Sequence, residues 1–147
     1  MKIGIVVYSE TGHTLEVADR LQEKMIAAGH YAEIVRIRAD KRRMKLEEAP
    51  SVEGYEALVL ASPVHAFTLA RPMKLYLKTL PSLEGKRVGI FVTQQLKRPF
   101  FGGNRALRFL QKNLEKSKAQ VVLGGIVHWS AKEREKQQET VVERLVP

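Results

Sequence analysis

The sequence predicts an α/β protein: a doubly wound three-layer sandwich around a five-stranded parallel sheet of order 2-1-3-4-5. Five short apolar runs, most of them rich in Val and Ile, are continuous rather than alternating, as strands covered on both faces are. Counted from Lys2, Tyr31, Ala57, Arg87 and Gln120, they begin 29, 26, 30 and 33 residues apart, near the ~30 residues of one strand–helix–strand unit. The segments between them carry apolar residues at helical period.

Residues 3–8 form the first strand. Leu15, Ala18, Leu21, Met25 and Ala28 then step by threes and fours, and Gly29 closes that helix. Residues 31–37 are the second strand. The stretch from Arg38 to Gly54, RADKRRMKLEEAPSVEG, offers only Met44 and Leu46 as apolar anchors before Pro50, so one turn of helix or a loop is expected. Residues 57–61 are the third strand, after which Pro72 opens a short helix carrying Leu75, Tyr76 and Leu77. Residues 88–92 are the fourth; Asn104 caps the helix that follows, with Leu107, Leu110 and Leu114 on its inner face. Residues 121–127 are the fifth strand, and a closing helix over 133–145 is charged early and apolar late. Right-handed crossovers leave few topologies for such a chain. One domain over 1–147 is expected, with its ligand beyond the carboxyl ends of the strands, at the switch point between strands 1 and 3.

Of the 147 residues, 25 are Lys or Arg and 16 are Asp or Glu, a net charge of +9; 44% are hydrophobic and none is Cys. Without cysteine there is no disulfide framework, thiol redox centre, iron–sulfur cluster or Cys-rich zinc site, so redox chemistry would belong to a bound organic cofactor or another metal. No stretch approaches the ~20 apolar residues of a membrane span, and the first apolar run is too short for a secretory leader. A cytoplasmic protein without membrane insertion is expected. A pI of about 9.9 suits nucleic acid, an anionic membrane surface, an acidic protein or a phosphorylated cofactor alike. No groove-reading motif accompanies the charge, so no nucleic-acid partner is expected.

The loop after the first strand, Ser9-Glu10-Thr11-Gly12-His13-Thr14, places three hydroxyls and a glycine at a helix N-terminus. Free N–H groups and the positive end of the helix dipole favour an anion there, and Ser9, Thr11 and Thr14 add side-chain donors. By chemistry alone this is either a phosphate site or a capped helix in a polar turn. It lacks the Lys of a Walker loop and the three spaced glycines of a dinucleotide fingerprint. His13 either points a ring nitrogen at the anion or occupies a solvated first turn. The Glu10 side chain is expected to face solvent, leaving only its backbone N–H to the site.

SETGHT after an apolar strand resembles the S-x-T-G-N-T phosphate loop of flavodoxins, with His13 in place of Asn. Two further segments carry the resemblance. Ser62-Pro63-Val64-His65-Ala66-Phe67, followed by Arg71-Pro72-Met73-Lys74-Leu75-Tyr76-Leu77, resembles the S-P-x-Y-x-G … P-x-K-x-F/Y-L segment of that family; Thr93-Gln94-Gln95 through Phe100-Phe101-Gly102-Gly103-Asn104 resembles its third flavin loop. The resemblance covers nearly the whole chain. It implies a flavodoxin-like FMN protein, with the phosphate among Ser9, Glu10, Thr11, Gly12, His13 and Thr14. The flavin ring would lie between the 62–67 loop and the loop of Thr93, Gln94, Gln95, Phe100, Phe101, Gly102 and Gly103. The phosphate site is then one of hydroxyls and amides, without a basic side chain inside it.

The departures from the pattern are specific. Val7 replaces the usual aromatic at the end of the first strand, and Tyr8, displaced by one, is expected to affect packing more than chemistry. His65 stands where a flavin-stacking aromatic is common, which leaves Phe100 and Phe101 as the expected ring-facing aromatics. Ala66 and Phe67 replace the glycine usual beside flavin N5. A Cβ costs roughly 1 kcal/mol or more at positive φ, so the half-reduced flavin is expected to be less favoured. Trp129, His30 and His128 are expected outside the flavin contacts.

No nucleophile–base pair, metal cluster or paired acid and base stands out, so the flavin would carry the chemistry. Two functions follow from the resemblance: an electron carrier between redox partners, or an FMN-dependent NAD(P)H:quinone-type oxidoreductase. The basic excess departs from the acidity usual in carrier flavodoxins. Arg71, Lys74, Lys97, Arg98 and Arg105 fall in or beside the two ring loops, where they would attract an acidic redox partner or the phosphates of a pyridine nucleotide. Lys41, Arg42 and Arg43 are read as part of a generally basic surface.

Overall fold

The computed structural model describes residues 1–95 and 102–147. In chain order its elements are β1 (Lys2–Val7), α1 (His13–Ala27), β2 (Tyr31–Arg36), β3 (Arg38–Ala39), β4 (Leu46–Glu48), β5 (Ala57–His65), β6 (Thr68–Leu69), α2 (Arg71–Leu77), β7 (Arg87–Gln94), α3 (Gly103–Lys116), β8 (Gln120–His128) and α4 (Arg134–Leu145). The main sheet runs β2-β1-β5-β7-β8, the expected order, and each neighbouring pair along it is parallel.

The continuous apolar runs pack on both faces because alternate side chains enter separate cores. Along β1, Ile3, Ile5 and Val7 join Leu21 and Met25 of α1 and Val141 and Leu145 of α4. Val6 and Tyr8 join Met73 and Tyr76 of α2 and Ala106, Leu110 and Leu114 of α3 on the other face. α1 ends as its sequence predicts: Gly29, at φ +90°, donates to the Ile26 carbonyl, and His30 to that of Met25.

Two local expectations are corrected. The 38–54 stretch holds neither a helical turn nor a plain loop, but an antiparallel ribbon in which β3 pairs with β4, Arg38 opposite Glu48. The Asp40 carboxylate makes its turn by accepting the backbone N–H groups of Met44 and Lys45 at 2.6 and 3.2 Å. Its anchors are Leu46, packed against the core, and the buried Val52; Met44 is 54% exposed. The second correction concerns α3, which begins at Gly103 with Gly102 in the N-cap position and no side-chain cap, so Asn104 lies inside the helix. Gly102 sits at φ +110°, and a Cβ there would lie 2.4 Å from the Phe67 carbonyl carbon, so a residue with a side chain is excluded at this cap.

Candidate functional site

The carboxyl ends of β1, β5 and β7 put the three loops at one edge of the sheet. The loop after β1 ends in Gly12, whose left-handed φ of +91° turns the chain into α1 without a side-chain cap. The uncapped N–H groups of that first turn therefore remain to be satisfied. Ser9 is buried and its Oγ has no hydrogen-bond partner among the described residues. Thr11 and Gly12 border open space, the Gly12 Cβ position having no atom within 4 Å. Thr14 turns inward: its buried hydroxyl hydrogen-bonds that of Thr93 at 2.8 Å, tying the first loop to the end of β7.

His13 does not stand free in solvent: its ring stacks on Trp129, with centroids 4.1 Å apart and planes 12° from parallel. Arg134 approaches the same indole at 4.7 Å and donates to the Trp129 carbonyl. Trp129 thus supports the start of α1 from the end of β8, a role its sequence context did not reveal. His128 is held by Gln137 and pairs in register with Gln94 of β7, and His30 is held by the chain's amino terminus and the Pro147 carbonyl.

Glu10 is exposed, as expected, but its side chain is not free in solvent. Its carboxylate accepts a 2.5 Å hydrogen bond from the Tyr8 hydroxyl and a two-pronged ion pair from Arg43, whose Nη2 lies 2.8 Å from Oε2. His65 Nε2 lies 3.5 Å from the same Oε2. The Arg43 hydrogen bond, with that of Tyr8, holds the Glu10 pKa down at about 2 against the opposing effect of burial. Burial, then the neighbouring carboxylate, push Tyr8 up to about 12. His65 is held below its ordinary pKa, chiefly by burial. Tyr8 packs in the core, as expected, and its hydroxyl also reaches Glu10; its ring meets His65 edge to face, with centroids 6.3 Å apart.

A basic side chain does reach the first loop. Arg36 Nη2 donates to the Ser9 carbonyl at 3.4 Å, and its buried Nε has no partner among the described residues. Neither Arg36 nor Arg43 carried a motif; both meet the loop after β1 only through the pairing of β2 with β1 and the fold of the ribbon.

In the second loop, Ser62 is buried and donates to the Pro63 carbonyl, and Val64 and His65 pair with Leu69 and Thr68 of β6. This leaves Ala66 and Phe67 as a two-residue hairpin turn with φ of +48° and +66°. Positive φ at both central positions marks a primed turn, which ordinarily takes Asn and Gly. A Cβ was expected to disfavour positive φ here, yet the chain adopts it at both residues. The antiparallel pairs on either side and the buried Leu69 hold a turn that costs roughly 1–2 kcal/mol per residue. Thr93 and Gln94 are buried at the end of β7 and Gln95 is exposed, while Gly102 and Gly103 open α3 against the Phe67 backbone and Gln94. Phe100, Phe101, Lys97 and Arg98 lie outside the described residues. No group of three or more His, Asp or Glu that could hold a metal occurs among the described residues.

A parallel sheet of this order, with an uncapped glycine turn and a buried hydroxyl unpaired among the described residues at its switch point, defines a doubly wound α/β protein with a candidate anion site there. The model of the flavodoxin domain matches residues 4–131, and the chain belongs to the flavodoxin family. Among solved structures it is similar to oxidised flavodoxin 1 from Bacillus cereus, at 22% identity and a TM-score of 0.72, covering 99% of both chains. A flavodoxin from Streptococcus pneumoniae matches at 20% identity and a TM-score of 0.71, over 99% of this chain and 97% of that one. A variant of the Fusobacterium nucleatum flavodoxin, bound to flavin mononucleotide, matches at 16% identity and a TM-score of 0.69, over 98% and 92%. No curated protein sequence gives a significant match. Among the described residues, no helix is long and apolar enough to cross a membrane.

Two outcomes are expected from this geometry. Because the folded pKa of Glu10 lies below its unfolded value, its contribution to stability is complete above the ordinary carboxylate range and is lost as pH falls toward about 2. Urea unfolding should show Glu10→Gln less stable than wild type at pH 6, with the gap closing between pH 4.5 and pH 2. Gly102→Ala, strained at φ +110° and overlapping the Phe67 backbone, should lose about 2 kcal/mol or more in the same measurement at pH 7.

Proposed function

We propose that this protein is an FMN-dependent electron-transfer protein that passes electrons between redox partners, one of them presenting an acidic face. The observation that carries the reading is the buried, unpartnered Ser9 hydroxyl beside the uncapped start of α1, a donor set suited to a terminal phosphate. FMN is the cofactor, and when bound it supplies the redox chemistry. Ser9 and Thr11 would donate hydroxyls to its phosphate, and the backbone N–H groups of residues 10–14 would complete the cradle. Thr14, through Thr93, positions that cradle rather than facing outward. The ring would sit between the 62–67 loop and the loop of Thr93, Gln94, Gln95, Phe100, Phe101, Gly102 and Gly103. The left-handed turn at Ala66 and Phe67 fixes the edge of that cleft.

The partner reading rests on a groove that the fold assembles beside the second loop. Arg42 and Arg43 from the ribbon turn, Arg71, Lys74 and Lys78 from α2 and its end, and His65 line it. Of these five Lys and Arg residues, Arg43 alone has a carboxylate within 4.0 Å among the described residues. Charges on such a rim raise encounter rates with an acidic partner and are screened over roughly 8 Å at physiological salt.

The purified protein should release FMN, and it should bind FMN more tightly than riboflavin. Ser9→Ala and Thr11→Ala should each weaken FMN binding by about 1.5–3 kcal/mol, the range for hydrogen bonds to a charged group. Equal affinity for riboflavin would overturn the phosphate assignment. Anaerobic reduction by an acidic ferredoxin should slow as salt rises, and Arg71→Gln with Lys74→Gln should flatten that dependence more than Lys112→Gln with Lys116→Gln on the exposed face of α3. Rapid bleaching by NADPH alone would instead make the protein an NAD(P)H-dependent reductase.

A further inference from the structure

Glu10 presents an electrostatic problem that the Ser9 and Gly12 geometry does not solve. It lies between two residues assigned to the phosphate cradle, and a carboxylate held there repels a dianion. The carboxylate is ionised and its charge is met from outside the loop: it accepts hydrogen bonds from the Tyr8 hydroxyl at the end of β1 and the Arg43 guanidinium of the ribbon turn, and the His65 ring of the second loop lies 3.5 Å away. Only Arg43 brings a full positive charge at neutral pH, since His65 is pushed toward its neutral form by burial and by Arg43 itself.

We infer that the Arg43–Glu10 clasp sets the phosphate affinity of this site: Arg43 cancels the charge that Glu10 carries into the loop and fastens the loop to the ribbon. Arg43 is thus a positioning residue, acting on the ligand's phosphate through Glu10. The inference rests on the assignment of the 9–14 loop to the FMN phosphate. Its geometry is built in advance. Arg43 lies at φ +57°, a left-handed conformation closed by its own N–H to the Asp40 carbonyl at 2.9 Å, while the Asp40 carboxylate accepts the two N–H groups that follow. The turn delivers the guanidinium edge-on, in the fork geometry that pairs both carboxylate oxygens. The other titratable group facing the pair is Tyr8, held neutral up to about pH 12. Lysine at this position would offer a point charge without the fork, so Arg43→Lys should recover only part of the effect.

The clasp makes a prediction that neither a purely structural contact nor a direct Arg–phosphate contact makes. Affinities of FMN and riboflavin for the apoprotein are measured by flavin fluorescence quenching at pH 7.5, with far-ultraviolet circular dichroism showing that each variant is folded. Arg43→Ala should weaken FMN at least tenfold and change riboflavin less than twofold, because only FMN carries the phosphate. Glu10→Gln, which removes the charge that Arg43 cancels, should weaken FMN far less than Arg43→Ala does. The double variant Arg43→Ala with Glu10→Gln should regain most of the affinity lost in Arg43→Ala. An equal loss for both flavins in Arg43→Ala would reduce the clasp to a structural contact. A double variant as weak as Arg43→Ala would show that Arg43 acts on the phosphate directly. Either result overturns the clasp while wild type still prefers FMN; wild type without that preference would overturn the phosphate assignment itself.

Discussion

β1 pairs in parallel with β2 on one side and β5 on the other, and the site depends on that arrangement. A right-handed crossover from β1 to β2 places α1 on one face of the sheet. The connection leaving β5 in the other direction places α2 and α3 on the opposite face, so the loops after β1 and β5 part at the sheet edge. The crevice that results is a consequence of winding and not of any one side chain. The Thr14–Thr93 hydrogen bond then ties the β1 loop to β7 across the intervening strand, so the first and third loops share one buried contact.

Charge at this edge is organised rather than merely abundant. With 25 basic against 16 acidic residues the cations are in excess by nine, and those of the ribbon turn and α2 gather along one groove. Within the loop after β1 the sign is reversed: Glu10 brings a negative charge, which Arg43 and Tyr8 satisfy by hydrogen bonds from two separate segments, with His65 3.5 Å away. A guanidinium paired with both oxygens favours the ionised carboxylate. The same residues draw the ribbon against the site, which gives an otherwise polar excursion of the chain a fixed position.

Strain is concentrated where the loops meet. Ala66 and Phe67 occupy a turn that favours Asn and Gly, and Gly102 fits against the Phe67 backbone because it lacks a Cβ. The small residue and the strained residues stand on opposite sides of one contact. Glycine is needed at 102, where the two backbones approach, while the hairpin pairs and the buried Leu69 hold the turn that a Cβ opposes.

The sequence by itself determined the layered architecture, the strand order and the three loops, because continuous apolar runs at regular spacing and a glycine-bearing hydroxyl loop are local patterns with few packed solutions. Where local pattern was thin it misled: Asn104 has the chemistry of a cap, yet the approach of the Phe67 backbone required Gly102 there. The ribbon over 38–54 was illegible because Asp40 organises it through backbone hydrogen bonds, which leave no periodicity in the sequence. Arg36, Arg43, Tyr8 and Trp129 are ordinary surface or strand residues when read in line. Only tertiary structure brings Arg43 to Glu10, 33 positions away, and Trp129 onto His13, because side-chain charge and ring contacts act through space while motifs act along the chain.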